Sequence, residues 1–247
     1  MPSIQTLRTE LRRTITGLRG RIGEQGPVTT AGRVLSVAGG QLAYPLIRAR
    51  RQRERFEFDG HPLPYAFARY NNSFLNERIV EIAIAEHFLA EGGAGRLLEV
   101  GNVLSHYGHT GHTVVDKYES VPGVLNVDVV DFVPERPFDA VVAISTVEHV
   151  GWDEQPREPE KVFRAIEAIR NCVAAGGRLL VTIPIGYNQR LDAGLRSGEV
   201  KFPREGWLVR TNRRNDWVQT DQDEAMAGRY GMPFTGANAL YIGMIAD

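Results

Sequence analysis

The sequence predicts an α/β fold built on a parallel sheet. Three observations carry that prediction. Between residues 96 and 184, short runs of Leu, Val and Ile recur without polar alternation, as in strands covered by helices on both faces. Helical periodicity appears between and before these runs. Each run then stops at a Gly, an acid, a Ser or a Pro, where a loop must leave the sheet.

In chain order, residues 1–22 read as a basic amphipathic helix. Ile4, Leu7, Leu11, Ile15, Leu18 and Ile22 recur at spacings of three and four, with Arg8, Arg12, Arg13 and Arg19 between them. Pro27 and its flanking glycines break it. Val34–Ile47 is apolar but interrupted by Gly39, Gly40 and Pro45, and Arg48–Arg55 is rich in Arg. The apolar run begins too late, and is followed by too much charge, for a signal peptide. His61–Tyr70 reads as an extended lead-in. Asn76–Ala90 reads as a helix ended by Gly92, Gly93 and Gly95. Strands are expected at Leu97–Val100, His112–Asp116, Val124–Val127, Phe138–Ile144 and Arg178–Ile183. A helix is expected at Pro159–Val173, stopped by Gly176 and Gly177. Trp207–Arg210 and Ala239–Ile245 are the last strands expected.

This gives a basic arm over residues 1–56, a lead-in and helix packing on the core over 57–95, and the α/β domain over 96–247. Net charge is −1 for 247 residues, but the arm is strongly basic and the remainder acidic. Such asymmetry points either to a solvated helix packed on the main domain or to an interaction arm on an anionic membrane surface or a partner. The acidic domain disfavours nucleic acid, whose phosphates need a basic face. The single cysteine, Cys172, excludes an intramolecular disulfide and cysteine zinc fingers, and fits a reducing, cytoplasmic compartment. No apolar run reaches the length of a membrane span.

In an open parallel sheet, ligands sit beyond the carboxyl ends of the strands. Here those ends carry Glu99-Val100-Gly101-Asn102, then Asp116, then Asp128-Val129, then Ser145-Thr146 with Glu148-His149 beyond. A Gly lets backbone approach a ligand closely. An acid on the second strand can accept both ribose hydroxyls, and an acid on the third can reach an adenine amino group. The set describes a nucleoside pocket. Each acid taken alone reads equally well as a helix cap.

Five segments, in order over residues 96–186, resemble those of class I S-adenosylmethionine-dependent methyltransferases. They are L-L-E-V-G-N (Leu97–Asn102), V-V-D-K-Y-E (Val114–Glu119), N-V-D-V-V-D-F (Asn126–Phe132), F-D-A-V-V-A-I-S-T-V-E-H-V-G (Phe138–Gly151) and G-G-R-L-L-V-T-I-P (Gly176–Pro184). The resemblance implies a Rossmann-like, mostly parallel sheet with an antiparallel last strand. It also implies S-adenosyl-L-methionine as cofactor, held by Glu99, Gly101, Asn102, Asp116, Asp128, Val129 and Ser145. The chain departs from the family where Val103 and Ser105 replace further glycines. The crossover Lys117–Gly123 is also too short for a helix. A dinucleotide such as NAD is the rival ligand, but Gly101–His106 lacks the G-x-G-x-x-G fingerprint.

Methyl transfer to a hydroxyl needs a proton acceptor. His149 is the candidate base, with Glu148 as its orienting partner or substitute. His106, His109 and His112 recur every third residue, but Gly108 and Gly111 make that stretch a loop, so solvated histidines are expected there and not a metal site. Trp207, Trp217 and Tyr230, among Arg210–Asp216 and Gln219, would suit a small polar acceptor such as a sugar, a glycolipid or another hydroxylated metabolite. The competing reading is a methyltransferase-like scaffold that keeps the pocket without catalysis.

Overall fold

The computed structural model describes residues 43–93 and 95–246. The chain divides into two units, Met1–Ala49 and Arg50–Asp247. In the first, the described residues are helical from 43 on. The amphipathic helix and apolar run expected before residue 43 lie outside the described residues. Among the described residues no helix is long and apolar enough to cross a membrane.

The second unit opens with an antiparallel hairpin, β1 (Arg55–Phe58) and β2 (His61–Pro64). The sequence reading had only an extended lead-in here. Its turn is Asp59-Gly60, both at positive φ (52° and 79°), the pair of left-handed positions that Asp-Gly supplies in a two-residue hairpin. Helix α1 follows (Arg78–Glu91). It buries residues around its whole circumference, including Ile79, Val80, Ile82, Ile84 and Phe88, because it lies between the hairpin and the sheet.

The main sheet has eight strands: β3 (Leu97–Val100), β4 (Thr113–Val115), β5 (Val124–Leu125), β6 (Phe138–Ile144), β7 (Val173–Pro184), β8 (Arg204–Arg210), β9 (Trp217–Thr220) and β10 (Ala239–Ile245). Their spatial order is β5-β4-β3-β6-β7-β10-β8-β9. Strands β5 to β7 are mutually parallel. Strand β10 runs antiparallel to both β7 and β8, and β9 antiparallel to β8. The expected mostly parallel sheet with an antiparallel last strand is therefore the one observed.

The continuous apolar runs have the predicted cause. Along β6, Val141 and Ala143 face a cluster with Val162, Ile166 and Ile169 of α2 (Lys161–Asn171), while Val142 and Ile144 face α1. Leu179 and Val181 of β7 join the first face, and Leu180 the second. Two short helices, α3 (Gln189–Ser197) and α4 (Gln222–Met226), complete the unit and were not foreseen.

Gly176 and Gly177 do not end a helix, as expected, but sit inside β7. The pairing with β6 slips between Phe138 and Ala140, and the extra residues of β7 bulge there. A Cβ on Gly177 would press on the carbonyls of Ala174 and Phe138 at 2.9 and 3.0 Å. The crossover after β4 carries no helix, as its length requires, and the one after β3 holds only a single 3-10 turn, Leu104–Tyr107.

Candidate functional site

A cavity of about 260 Å³ opens beyond the carboxyl ends of β3, β4, β5 and β6. Gly101, Asn102, Asp116, Asp128, Val129, Ser145 and His149 all line it. Glu99 and Glu148 do not.

Gly101 begins the loop after β3 at φ +85°, and its N–H donates to the Val115 carbonyl at 2.8 Å. A Cβ here would collide with the Thr146 side chain, which also lines the cavity. Glycine is thus required twice, for the left-handed backbone and for the approach of the neighbouring loop.

Glu99 is fully buried beneath this loop. Its Oε1 accepts from the Val103 and Leu104 N–H groups at 2.7 and 2.6 Å, and its Oε2 faces His112 Nε2 at 2.8 Å. It shapes the loop from below and does not reach the cavity. The same contact corrects the reading of His112 as a solvated loop residue: its side chain is buried on Glu99. His106 stacks on Tyr70, with ring centroids 3.9 Å apart. Asn102 accepts from the Ser105 hydroxyl.

Asp116 ends β4. Its Oδ1 accepts from the Tyr118 and Glu119 N–H groups at 2.8 and 2.7 Å, a turn that fixes the carboxylate at the cavity wall. Among the described residues its Oδ2 has no partner.

Asp128 also lines the cavity, and its carboxylate is held from two sides. Its Oδ1 caps the turn Val129–Asp131 through the Val130 N–H at 3.2 Å. Its Oδ2 is shared by Lys117 Nζ at 2.8 Å and Lys161 Nζ at 2.6 Å. Both lysines also reach Glu154. Burial pushes the Asp128 and Glu154 carboxyls up, but the two ammonium groups outweigh it and hold both below the usual carboxylate range. Oδ2 is thus taken by the two lysines, and Oδ1 carries the single bond from Val130. Val129 opens the turn, so its N–H is one that a helix start leaves without an intrahelical partner.

Ser145 sits at φ +39°, and its hydroxyl turns away from the cavity to Glu81, which Thr182 Oγ1 also reaches at 2.7 Å.

His149 lies at the cavity mouth, 44% of its side chain exposed. Its Nδ1 is 2.6 Å from Asp153 Oδ2, and the Tyr187 hydroxyl donates to that same oxygen at 2.7 Å. Tyr187 meets the His149 ring edge-on at 4.6 Å, and Tyr230 meets Tyr187 at 5.0 Å. Glu148 is buried below, its Oε1 3.6 Å from His149 Nε2 and its Oε2 without a hydrogen-bond partner among the described residues. That distance is too long for a hydrogen bond. Burial pushes the Glu148 carboxyl well above the usual range, and the nearby Glu81 adds to the shift.

Asp153, Tyr187, Thr146, Lys117 and Glu154 were not foreseen. Asp153 alone left a signal, four residues after His149. Of the tail residues read as an acceptor surface, Trp207 and Trp217 are buried in the core. The Trp217 indole donates to Asn215 at 2.9 Å, and Arg210 bonds the Leu75 carbonyl at 3.0 Å. Tyr230 alone of that set stands near the cavity mouth, through Tyr187.

No family model matches the chain, and no curated protein matches it. Solved structures to which it is similar include three described as methyltransferases. One is a SAM-dependent methyltransferase, possible histamine N-methyltransferase, from Thermotoga maritima (14% identity, 66% of this chain and 86% of that chain, TM-score 0.41). Another is the N-methyltransferase NodS from Bradyrhizobium japonicum (14%, 68% and 94%, 0.39). A third is a SAM dependent methyltransferase from Archaeoglobus fulgidus (12%, 68% and 92%, 0.43). Likenesses this distant bring no acceptor and no residue role to the chain. Its own strand order and reversed last strand give a Rossmann-like α/β fold.

Proposed function

We propose that the chain is an S-adenosylmethionine-dependent methyltransferase acting on a small polar acceptor. The observation that carries this reading is the convergence of Gly101, Asp116, Val129 and His149 on one cavity at the carboxyl ends of four parallel strands.

The residues fit the cofactor at three points. The Gly101 loop admits no side chain and leaves room for the methionine part. Asp116 offers an unpartnered Oδ2 to the ribose. The Val129 N–H, in place of the Asp128 carboxylate, is the group for the adenine edge. When bound, the sulfonium supplies a methyl carbon whose transfer releases a neutral thioether, so no general acid is needed.

The chain's own task is to align the acceptor and take its proton. A carboxylate only accepts, so Asp153 fixes the proton of His149 on Nδ1 and leaves Nε2 as the basic nitrogen. Tyr187 locks Asp153 in turn. The buried Glu148 carboxyl lies behind Nε2 without claiming it. His149 is then the base, with Asp153 its orienting partner, a role the sequence reading gave to Glu148. Tyr187 and Tyr230 offer ring faces to an acceptor such as a sugar.

The reading is tested by incubating the protein with S-adenosylmethionine and a panel of hydroxylated and amino acceptors and following S-adenosylhomocysteine. Acceptor-dependent release supports the enzyme. Cofactor binding without release across the panel favours the non-catalytic scaffold.

A further inference from the structure

We infer that His61, His87 and Glu91 form a binding site for a divalent transition-metal ion, zinc by its donor set, which staples the β1–β2 hairpin to helix α1. Among the described residues these three bring a ligand atom each to within 4.8 Å of one another. His87 and Glu91 stand one turn apart on α1, and their Nε2 and Oε1 are 3.5 Å apart. Two ligands on one tetrahedral ion, each bonded at about 2.0–2.1 Å, lie at about that separation. His61 enters from the other element, as the first residue of β2. Its ring centroid is 4.7 Å from that of His87, and the planes are inclined at 50°, so the rings are not stacked.

The platform under the three ligands is rigid. Phe56, Phe58 and Leu63 of the hairpin share one buried cluster with Ile84 and Phe88 of α1. The ligands therefore project from two elements already held together, and only exposed side-chain torsions must adjust. Arg178 engages the other Glu91 oxygen, Oε2, at 3.4 Å, and leaves Oε1 on the His87 side. Two imidazoles and a carboxylate suit zinc, with water completing a tetrahedron.

The site lies away from the cavity. Arg78, at the start of α1, bonds the Ile144 carbonyl at the carboxyl end of β6, whereas Phe88, near the other end, accepts from Arg178, which pairs with Ala140 near the start of β6. His87 and Glu91 are thus at the end of the helix opposite the cleft. The ion's task there is structural: it ties hairpin to helix and takes no part in methyl transfer.

The test uses tag-free, full-length protein stripped with a chelator and titrated with Zn²⁺ by calorimetry and with Co²⁺ by visible absorption. One ion per chain is expected, with the absorption of a tetrahedral Co²⁺ complex and a Zn²⁺-dependent rise in Tm. His61→Ala and His87→Ala should each weaken binding at least about tenfold and abolish the rise in Tm, whereas His109→Ala should leave both intact. Circular dichroism of the metal-free variants establishes that they fold. The proposal is overturned if folded wild type and a folded His61→Ala/His87→Ala double variant bind equally, or if wild type shows no saturable binding up to about 1 mM.

Discussion

Asp153 accepts the Nδ1–H of His149 at 2.6 Å while the same oxygen receives the Tyr187 hydroxyl at 2.7 Å. The ring is therefore oriented by a group on its own turn and locked by one from the loop after β7. Removing the base should cost turnover and leave cofactor binding alone. His149→Ala should lower turnover about 10²–10⁴-fold. Asp153→Asn should lower it less, because the ring remains but its tautomer is no longer enforced. Single-turnover rates beside cofactor affinities check this, and unchanged rates in both variants would remove His149 from the chemistry.

Gly101→Ala should weaken the cofactor at least about tenfold and lower stability. The left-handed backbone alone costs a non-glycine residue about 1–2 kcal/mol. The new methyl also meets Thr146. Adding Thr146→Ala should relieve the collision but not the backbone cost, so the double variant should recover part of the affinity. Recovery to wild-type level would mean that the backbone cost is negligible.

Lys161→Met should destabilise the fold. Lys161 is nearly buried between Asp128 and Glu154, and its loss leaves both acids to Lys117. Breaking a buried pair costs about 3 kcal/mol or more, about 6–12 °C in Tm for a chain of this size. The depressed acids contribute stability that is complete above the ordinary carboxylate range and is lost as pH falls through their lower folded values. The variant should therefore lose less between pH 6 and pH 3 than wild type does. Parallel pH curves for the two proteins would show that the cluster adds nothing.

Glu148→Gln should act in the opposite sense. A carboxyl whose folded pKa is raised binds its proton more tightly folded than unfolded. Stability falls as pH climbs from the ordinary carboxylate range toward the folded value. The amide cannot ionise, so the variant should be more stable than wild type at pH 8 and differ little from it at pH 4. Thermal melts at the two pH values decide it, and a variant destabilised equally at both would mean Glu148 is not neutral in the fold.

Much of this architecture was legible because parallel strands declare themselves. Phe138–Ile144 is apolar on both faces, and the observed strand has those bounds. The short crossover after Asp116 forbade a helix by length alone. The hairpin was missed although Asp59-Gly60 is the turn signal for it, and β7 was begun too late because a glycine pair reads as a helix stop as readily as a bulge. At the site, sequence order placed seven of nine residues on the cavity wall but said nothing of where each side chain points. Asp116 and Asp128 look alike in sequence. Two lysines, one of them 33 residues downstream, distinguish them. Asp153 and Tyr187 come together only in the folded chain.

The central claim is that the cavity beyond β3, β4, β5 and β6 binds S-adenosylmethionine. Isothermal titration of the full-length protein with S-adenosylmethionine, and separately with NAD, tests it most directly. The account predicts saturable binding of one S-adenosylmethionine per chain, displaced by S-adenosylhomocysteine, and weakened by Asp116→Ala about tenfold or more as a charged hydrogen bond to the ribose is lost. NAD should give no saturable heat. Saturable NAD binding with no response to S-adenosylmethionine would contradict the account.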